Sequence, residues 1–339
     1  MSTGPPDPPG EADWQGAVAL LRDAGEIYLA CHVRPDGDAL GSALAVGLAL
    51  RSLGTRVHVS FGEDPPTVPR ALSFLPGLDM LVHPASVPDA PEIMVTFDTA
   101  TVDRLGLLGG KARAARALVV VDHHESNTVF GTHHLVDPAA PATAVLVDEL
   151  VRRLGVKLTP ELATAVYTGL VTDTGSFRNP GTTPEIHALA GRLLETGIRG
   201  DLIGRHIWDT SRFGYLKVLA DALGRASLEP AAAGGLGLVW TTVPRADREH
   251  HDIGIDEIEG IIDVVRKTAE AEVAVVMKED RDGVHHVSVR SKGRVDIGEV
   301  CCRLGGGGHR YAAGFTSGEE PQAIVRRLIG LLASRAVSS

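Results

Sequence analysis

The chain has 339 residues, 44% hydrophobic and 22% charged, which suits two globular domains with sizeable cores rather than a disordered polymer. Its 33 Lys and Arg face 43 Asp and Glu, a formal net charge of −10, so a broad basic surface for long nucleic acid is excluded. A site where clustered acids hold metal, and the metal handles phosphate, is compatible with that balance.

The N-terminal stretch MSTGPPDPPGEADW has no basic and no apolar region of a signal peptide, so residues 1–12 are expected as a disordered tail. Glu26–Cys31, Arg56–Phe61, Glu92–Phe97 and Ala117–Val121 are short, β-branched and apolar, and read as buried strands. Asp38–Leu53 between the first two has helical periodicity and stops at Gly54. Such alternation predicts an α/β fold whose larger domain has a mainly parallel sheet flanked by helices. Ala142–Leu154, Pro160–Thr172, Pro184–Thr196 and Arg212–Leu223 follow as helices. The apolar run ALAVGLAL after Ser42 is too short to span a membrane. Pro230–Gly237 is a small-residue connection, expected as a hairpin or boundary. Beyond it, Leu238–Thr242, Ala271–Met277 and His285–Arg290 read as strands, with helices at Ile255–Lys267 and Pro321–Ser334. The expected organisation is a catalytic domain over 13–205, a helical connector over 206–230 and a smaller C-terminal α/β domain over 231–337. Cys31, Cys301 and Cys302 make neither a disulfide framework nor a zinc knuckle, which points to a reducing cytoplasm.

The chemistry-bearing side chains follow strands, where open α/β sheets place their ligands. His32-Val33-Arg34-Pro35-Asp36-Gly37-Asp38 comes after the first strand. In an extended segment Asp36 and Asp38 point the same way and repel unless a cation sits between them. Asp98 follows the third strand, Asp122-His123-His124 the fourth, and Asp173 ends a helix just before Thr174. Taken singly, Asp-Gly-Asp is ordinarily a turn and a strand-end Asp ordinarily a helix cap. The pairs His133-His134, His250-His251 and His285-His286 read as surface or strand residues. Convergence of three strand ends and a helix end is what argues for metal. Imidazoles and carboxylates without thiolates favour Mn²⁺, Mg²⁺ or Fe²⁺, and so many carboxylates favour two ions. Two ions about 3.5–4 Å apart suit phosphoryl displacement. In the second domain, Gly305–Gly308 followed by His309 and Arg310 lets backbone N–H groups approach an anion, and Arg290 offers a phosphate-shaped fork. A P-loop is absent.

HVRPDGDALGS, VTFD, VVVDHH and LVTDTGSFR stand in the order and context of the four motifs of the DHH phosphoesterase superfamily, which the chain resembles. SVRSKG and GGGGHRYAAGF resemble the signature of the DHHA1 domain. The similar branch is the short-oligoribonuclease and 3′-phosphoadenosine-5′-phosphate phosphatase type, which includes cyclic-di-AMP phosphodiesterases. The resemblance implies that His32 and Asp36 bind one Mn²⁺, that Asp98 bridges, and that Asp38, His123 and Asp173 bind the other, with Mg²⁺ or Co²⁺ as substitutes. It implies that Asp122 supports its neighbours and that His124 faces the substrate phosphate. It places Arg290, Ser291, Gly306, Gly307, Gly308, His309 and Arg310 on the nucleotide, in a cleft between the domains, with Asp98, His124 and Arg290 taking part in catalysis. Arg34 has no role in this assignment. The expected activity is Mn²⁺-dependent hydrolysis of cyclic di-AMP, pApA and very short RNAs to 5′-mononucleotides. The alternatives are 3′-phosphoadenosine-5′-phosphate phosphatase, pyrophosphatase, or a nucleotide sensor without turnover. A homodimer is expected, with no long nucleic acid and no membrane as partner.

Overall fold

The computed structural model describes residues 6–281 and 283–333. Residues 1–5 of the expected tail lie outside them, and its last two residues, Glu11 and Ala12, already belong to helix α1 (Glu11–Arg22). The chain divides into two compact units, Met1–Thr210 and Ser211–Ser339.

The first unit carries five parallel strands: β1 (Glu26–Cys31), β2 (Arg56–Phe61), β3 (Ile93–Phe97), β4 (Ala117–Asp122) and β5 (His133–Val136). Their order is β2-β1-β3-β4-β5. The strands read as continuous apolar runs because both faces are covered. Ile27, Leu29, Val95, Phe97, Val119 and Val121 join one buried cluster, while Ala30, Met94, Leu118 and Val120 join another with Leu105 and Leu108. The chain first moves from β1 outward to β2, then returns to build β3 on the other side of β1. That reversal opens a crevice at the carboxyl ends of β1 and β3, the place where doubly wound sheets bind ligands.

Helices α2 (Gly37–Ser52), α3 (Gly109–Ala114), α4 (Thr143–Arg153), α5 (Pro160–Asp173), α6 (Pro184–Leu194) and α7 (Gly200–Trp208) complete the unit. Neither β5 nor α7 was expected as an element: β5 is a four-residue edge strand whose first half is histidine. Helix α2 lies against α5 through glycines. A Cβ on Gly37 would come within 2.6 Å of Thr172, and one on Gly41 within 2.6 Å of the Ala165 carbonyl. This close approach brings the start of α2 to the end of α5, and so Asp38 towards Asp173. Gly41→Ala must push the helices apart at a backbone contact, a cost of roughly 1–3 kcal/mol. The urea midpoint should fall with an unchanged m-value.

The second unit has a six-stranded sheet in the order β10-β11-β9-β8-β7-β6, formed by β6 (Ser227–Glu229), β7 (Leu238–Val243), β8 (Val273–Glu279), β9 (His285–Ser291), β10 (Gly307–Gly308) and β11 (Ala312–Ser317). All neighbours are antiparallel except β7 and β8. Residues Pro230–Gly237 make the β6–β7 hairpin connection. Helix α8 (Phe213–Gly224) buries Val218 and Ala222 with Val239 and Ile261, and from Ser211 onward the expected connector falls within this unit. The single helix expected over Ile255–Lys267 is broken. A 3-10 turn at Asp256–Ile258 and a short helix at Ile261–Val265 flank Gly260. Strand β11 escaped notice because AAGFTS is rich in small residues.

Candidate metal centre

Parallel neighbours lie about 4.8 Å apart, so the residues that end or follow β1, β3 and β4 are side by side at the carboxyl end of the sheet. They are His32, Asp98 and Asp122–His124. Asp98 is the middle one, held at φ +55 with its N–H donating to Val121 O. His32 Nε2 lies 3.4 Å from Asp98 Oδ2 and 3.8 Å from Asp36 Oδ2. His123 Nε2 lies 3.4 Å from Asp98 Oδ1 and 3.1 Å from Asp173 Oδ2. Among the groups with metal-ligand spacing in this unit are His32–Asp36–Asp98, Asp38–His123–Asp173 and Asp98–Asp122–His124, with the ligand atoms of each within 4.8 Å of one another.

Asp36 and Asp38 do not point the same way, contrary to the extended geometry expected of them. Asp36 is the N-cap of α2, its Oδ1 accepting from the N–H groups of Asp38 and Ala39 at 3.1 and 3.0 Å. Asp38 is already in the first helical turn and is rotated into the group with His123 and Asp173. The helix-cap role and the metal role coexist, since the remaining oxygen of Asp36 faces His32.

Asp38 is fully buried, and its carboxylate accepts from the N–H groups of Thr143 and Ala144 at 2.6 and 2.9 Å, at the start of α4. The Thr143 hydroxyl donates to Asp98 Oδ1 at 3.0 Å. Thr143 was missed by sequence reasoning because its partners lie 105 and 45 residues away. Asp122 is fully buried too. Its Oδ1 receives the His124 Nδ1 proton at 2.7 Å, and its Oδ2 accepts from Asn127 Nδ2 at 2.6 Å. A carboxylate placed behind a histidine fixes which ring nitrogen carries the proton.

The electrostatics test whether cations suit this donor set. Burial, then repulsion from Asp98 and Asp173, pushes the Asp38 carboxyl well above the usual range. Burial also raises Asp173, against the pull of His123. Burial opposes charge on the imidazoles, yet Asp36 and Asp98 lift His32 to about 10, and Asp173 and Asp98 lift His123 well above its ordinary value. Burial works against ionised Asp98 as well, but His123 and His32 hold it well below the carboxylate range. Without a cation, protons on His32 and His123 balance the carboxylates. Divalent ions would do the same with nitrogen and oxygen donors that suit them, so the residues fit.

A proton on His32 must leave before that nitrogen can ligate. Its raised pKa also gives the metal-free chain stability that is complete below pH 6.5 and lost as pH rises to about 10. Apparent Mn²⁺ affinity should therefore climb about tenfold per pH unit for each proton released between pH 6.5 and 8.5. Free Mn²⁺ followed by electron paramagnetic resonance would measure this, and a flat affinity would contradict ligation by His32.

In the second unit, Arg290 on β9 pairs with Ala312 on β11. His309 N donates to Ala312 O at 2.8 Å, and Arg310 Nη2 donates to Gly293 O at 3.2 Å. Arg290, Gly307–Gly308 and the His309–Ala312 turn thus gather at one end of three adjacent strands. Gly306 has no room for a side chain: a Cβ would come within 2.0 Å of Gly314 O. Ser291 is buried, and its hydroxyl donates to Glu272 Oε1 at 2.9 Å, so its side chain supports the turn from inside. Among the described residues no helix is long and apolar enough to cross a membrane.

The family profile for the N-terminal domain of the DHH family matches residues 26–170, and that for the DHHA1 domain matches residues 238–333. The bifunctional oligoribonuclease and PAP phosphatase NrnA of Thermus thermophilus is 36% identical over 304 residues, covering 88% of this chain and 86% of that protein. The chain belongs to the DHH family. It is a hydrolase of phosphoester bonds. The NrnA protein of Bacillus subtilis is 26% identical over 85% of this chain and 88% of its own length. Among solved structures, an exopolyphosphatase-related protein from Bacteroides fragilis shares the fold with a TM-score of 0.85 at 22% identity, covering 96% of this chain and 97% of that one. RecJ from Thermus thermophilus, solved in complex with Mn²⁺, gives a TM-score of 0.55 at 16% identity, covering 96% of this chain and 55% of that one.

Proposed function

We propose that this DHH-family member cleaves phosphodiester bonds in very short oligoribonucleotides and small adenine nucleotides, cyclic di-AMP and pApA included, releasing 5′-mononucleotides. Two divalent cations serve it, Mn²⁺ first, with Mg²⁺ or Co²⁺ as substitutes. The observation that carries the reading is Asp98, whose two oxygens each face one imidazole, His32 on one side and His123 on the other.

His32, Asp36 and Asp98 would hold one ion, and Asp38, His123 and Asp173 with Asp98 the other. When bound, the pair supplies charge neutralisation at the phosphoryl group and a more acidic water. The chain's own residues do the rest. Thr143 and the start of α4 fix the carboxylates of Asp98 and Asp38, so the donors need no rearrangement when substrate arrives. With its Nδ1 proton given to Asp122, His124 uses Nε2 to donate to a phosphoryl oxygen. In the second unit, Arg290, His309, Arg310 and the backbone of Gly306–Gly308 are the proposed nucleotide contacts, and Ser291 shapes that turn. The names of the NrnA relatives support short RNA as a substrate class and 3′-phosphoadenosine-5′-phosphate as the alternative.

We place the enzyme in the cytoplasm, a reading supported by its three free cysteines. A homodimer is the proposed state. Phe213, Leu216 and Leu223 leave one face of α8 apolar and exposed, and a second copy would cover it. Purified protein with Mn²⁺ should be offered cyclic di-AMP, pApA, short RNAs and 3′-phosphoadenosine-5′-phosphate side by side. Turnover of the dinucleotides and short RNAs is expected. Tight binding with no turnover of any of them would turn the reading into that of a nucleotide sensor.

A further inference from the structure

Two arginines stand on the His32 side of the centre with no role in the reading above. Arg34 lies in the loop after β1, inside the first motif, and is exposed with φ +52. A left-handed backbone is unusual for a long side chain and costs of order 1 kcal/mol, a strain that folds retain chiefly where function needs it. Arg104 comes from the turn after β3 and is tied to the same loop, Val33 N donating to Arg104 O at 2.9 Å, while Leu107 N donates to Gly62 O after β2 at 3.1 Å. The crossing is tight: a Cβ on Gly106 would come within 2.6 Å of Val33 Cγ1, and one on Gly62 within 1.9 Å of Leu105 O. The position of Arg104 beside the first motif is therefore set by backbone.

Arg104 Nη2 lies 3.3 Å from His32 Nδ1. That nitrogen gives its proton to Val33 O at 2.8 Å, so two donors meet and no hydrogen bond links them. Arg34 is near enough to Arg104 for the two cations to repel. Among the described residues neither arginine has a carboxylate in salt-bridge range. Elsewhere among the described residues arginines form ion pairs with carboxylates, Arg113 with Asp103 and Arg192 with Asp148 among them. Two neighbouring guanidinium groups with no carboxylate in ion-pair range, beside a metal-type cluster, offer their donors to an anion. Guanidinium forks match phosphate oxygens in shape and charge.

We infer that Arg34 and Arg104 form a second phosphate site on the His32 side of the centre, which takes a phosphomonoester carried by the substrate in addition to the bond being cut. This rests on the proposed phosphoester hydrolysis and goes further, because it assigns a preference. A 5′-phosphorylated dinucleotide should outperform the same dinucleotide with a free 5′-hydroxyl, and a nucleoside 3′,5′-bisphosphate should outperform a 3′-monophosphate.

The test is a ratio. For the wild type, kcat/KM on pApA should exceed that on ApA by roughly tenfold to a hundredfold, as charge-assisted hydrogen bonds to one extra phosphate allow. The bisphosphate and monophosphate of adenosine form the second arm, which distinguishes a 5′-phosphate on a dinucleotide from a phosphate on a single nucleoside. In Arg34→Ala/Arg104→Ala each ratio that depends on the pair should collapse towards one. Arg34→Lys/Arg104→Lys, which keeps both charges, should retain part of it. A wild-type ratio near one for both pairs, or a double variant that slows both members of each pair equally, overturns the assignment. If the wild type turns over none of the four, the proposed activity has failed instead, and binding then decides. With EDTA present, the metal-free wild type should bind 3′-phosphoadenosine-5′-phosphate more tightly than adenosine 3′-monophosphate, and the double alanine variant should not.

Discussion

Asp98→Asn should abolish hydrolysis of every substrate, by roughly 10³-fold or more, since several kcal/mol of charge stabilisation at the phosphoryl group depends on both ions. The substitution keeps the side chain's size and leaves an oxygen for the Thr143 hydroxyl, so the protein should fold. What it removes is the one charge that faces an imidazole of each group. Oδ2 faces His32 and Oδ1 faces His123, and each imidazole counts Asp98 among the groups that raise its pKa. Bound Mn²⁺ per chain, measured after equilibrium dialysis, should drop below that of the wild type. Asp36→Asn and Asp173→Asn each touch one group alone, so each should weaken one ion and leave the other. Full activity in Asp98→Asn would sink the dinuclear assignment.

How far such a site can be read in advance depends on the distance between partners in sequence. His32, Asp98 and Asp122–His124 were legible because β1, β3 and β4 are buried on both faces, giving unbroken apolar runs that a charged residue ends abruptly. Asp173 was legible as the polar end of an apolar helix. Thr143 was not: only the folded chain shows that the start of α4 caps Asp38, and nothing in PATAVLV marks a threonine that serves two acids. Asp36 and Asp38 were both recognised, but their relative direction was misjudged, because the helix begins at Gly37 and turns them apart. Arg104 carried no signal at all, since its value lies in a backbone contact with Val33. In the second unit, Gly260 breaks a pattern that periodicity alone extends through it. β11 is hidden in small residues whose role is to let Gly306 and the strands of Gly307–Gly308 and Ala312–Ser317 come close.

Asp122→Asn should have the second large effect, through His124 rather than through metal. The imidazole is mostly buried, and burial disfavours its charged form, yet Asp122 and then Asp98 outweigh that and raise its pKa. A histidine that donates to a phosphoryl oxygen acts best as the imidazolium, so activity should persist below its pKa and fall as pH rises through it. Removing the Asp122 charge lowers that pKa, and the basic limb of the pH–rate profile should move to lower pH. Near pH 8 the variant should lose roughly 10²–10⁴-fold in kcat, the range typical of a positioned proton donor. Bound Mn²⁺ should stay close to the wild-type value, unlike in Asp98→Asn. Asn127→Ala loosens Asp122 without removing its charge, so a smaller fall of about 10–100-fold is expected, with a smaller shift of the limb. His124→Gln should remove the limb that depends on the imidazole. If Asp122→Asn slows turnover while the basic limb stays where it was, Asp122 is acting on the metal ligands, and the donor role of His124 is lost.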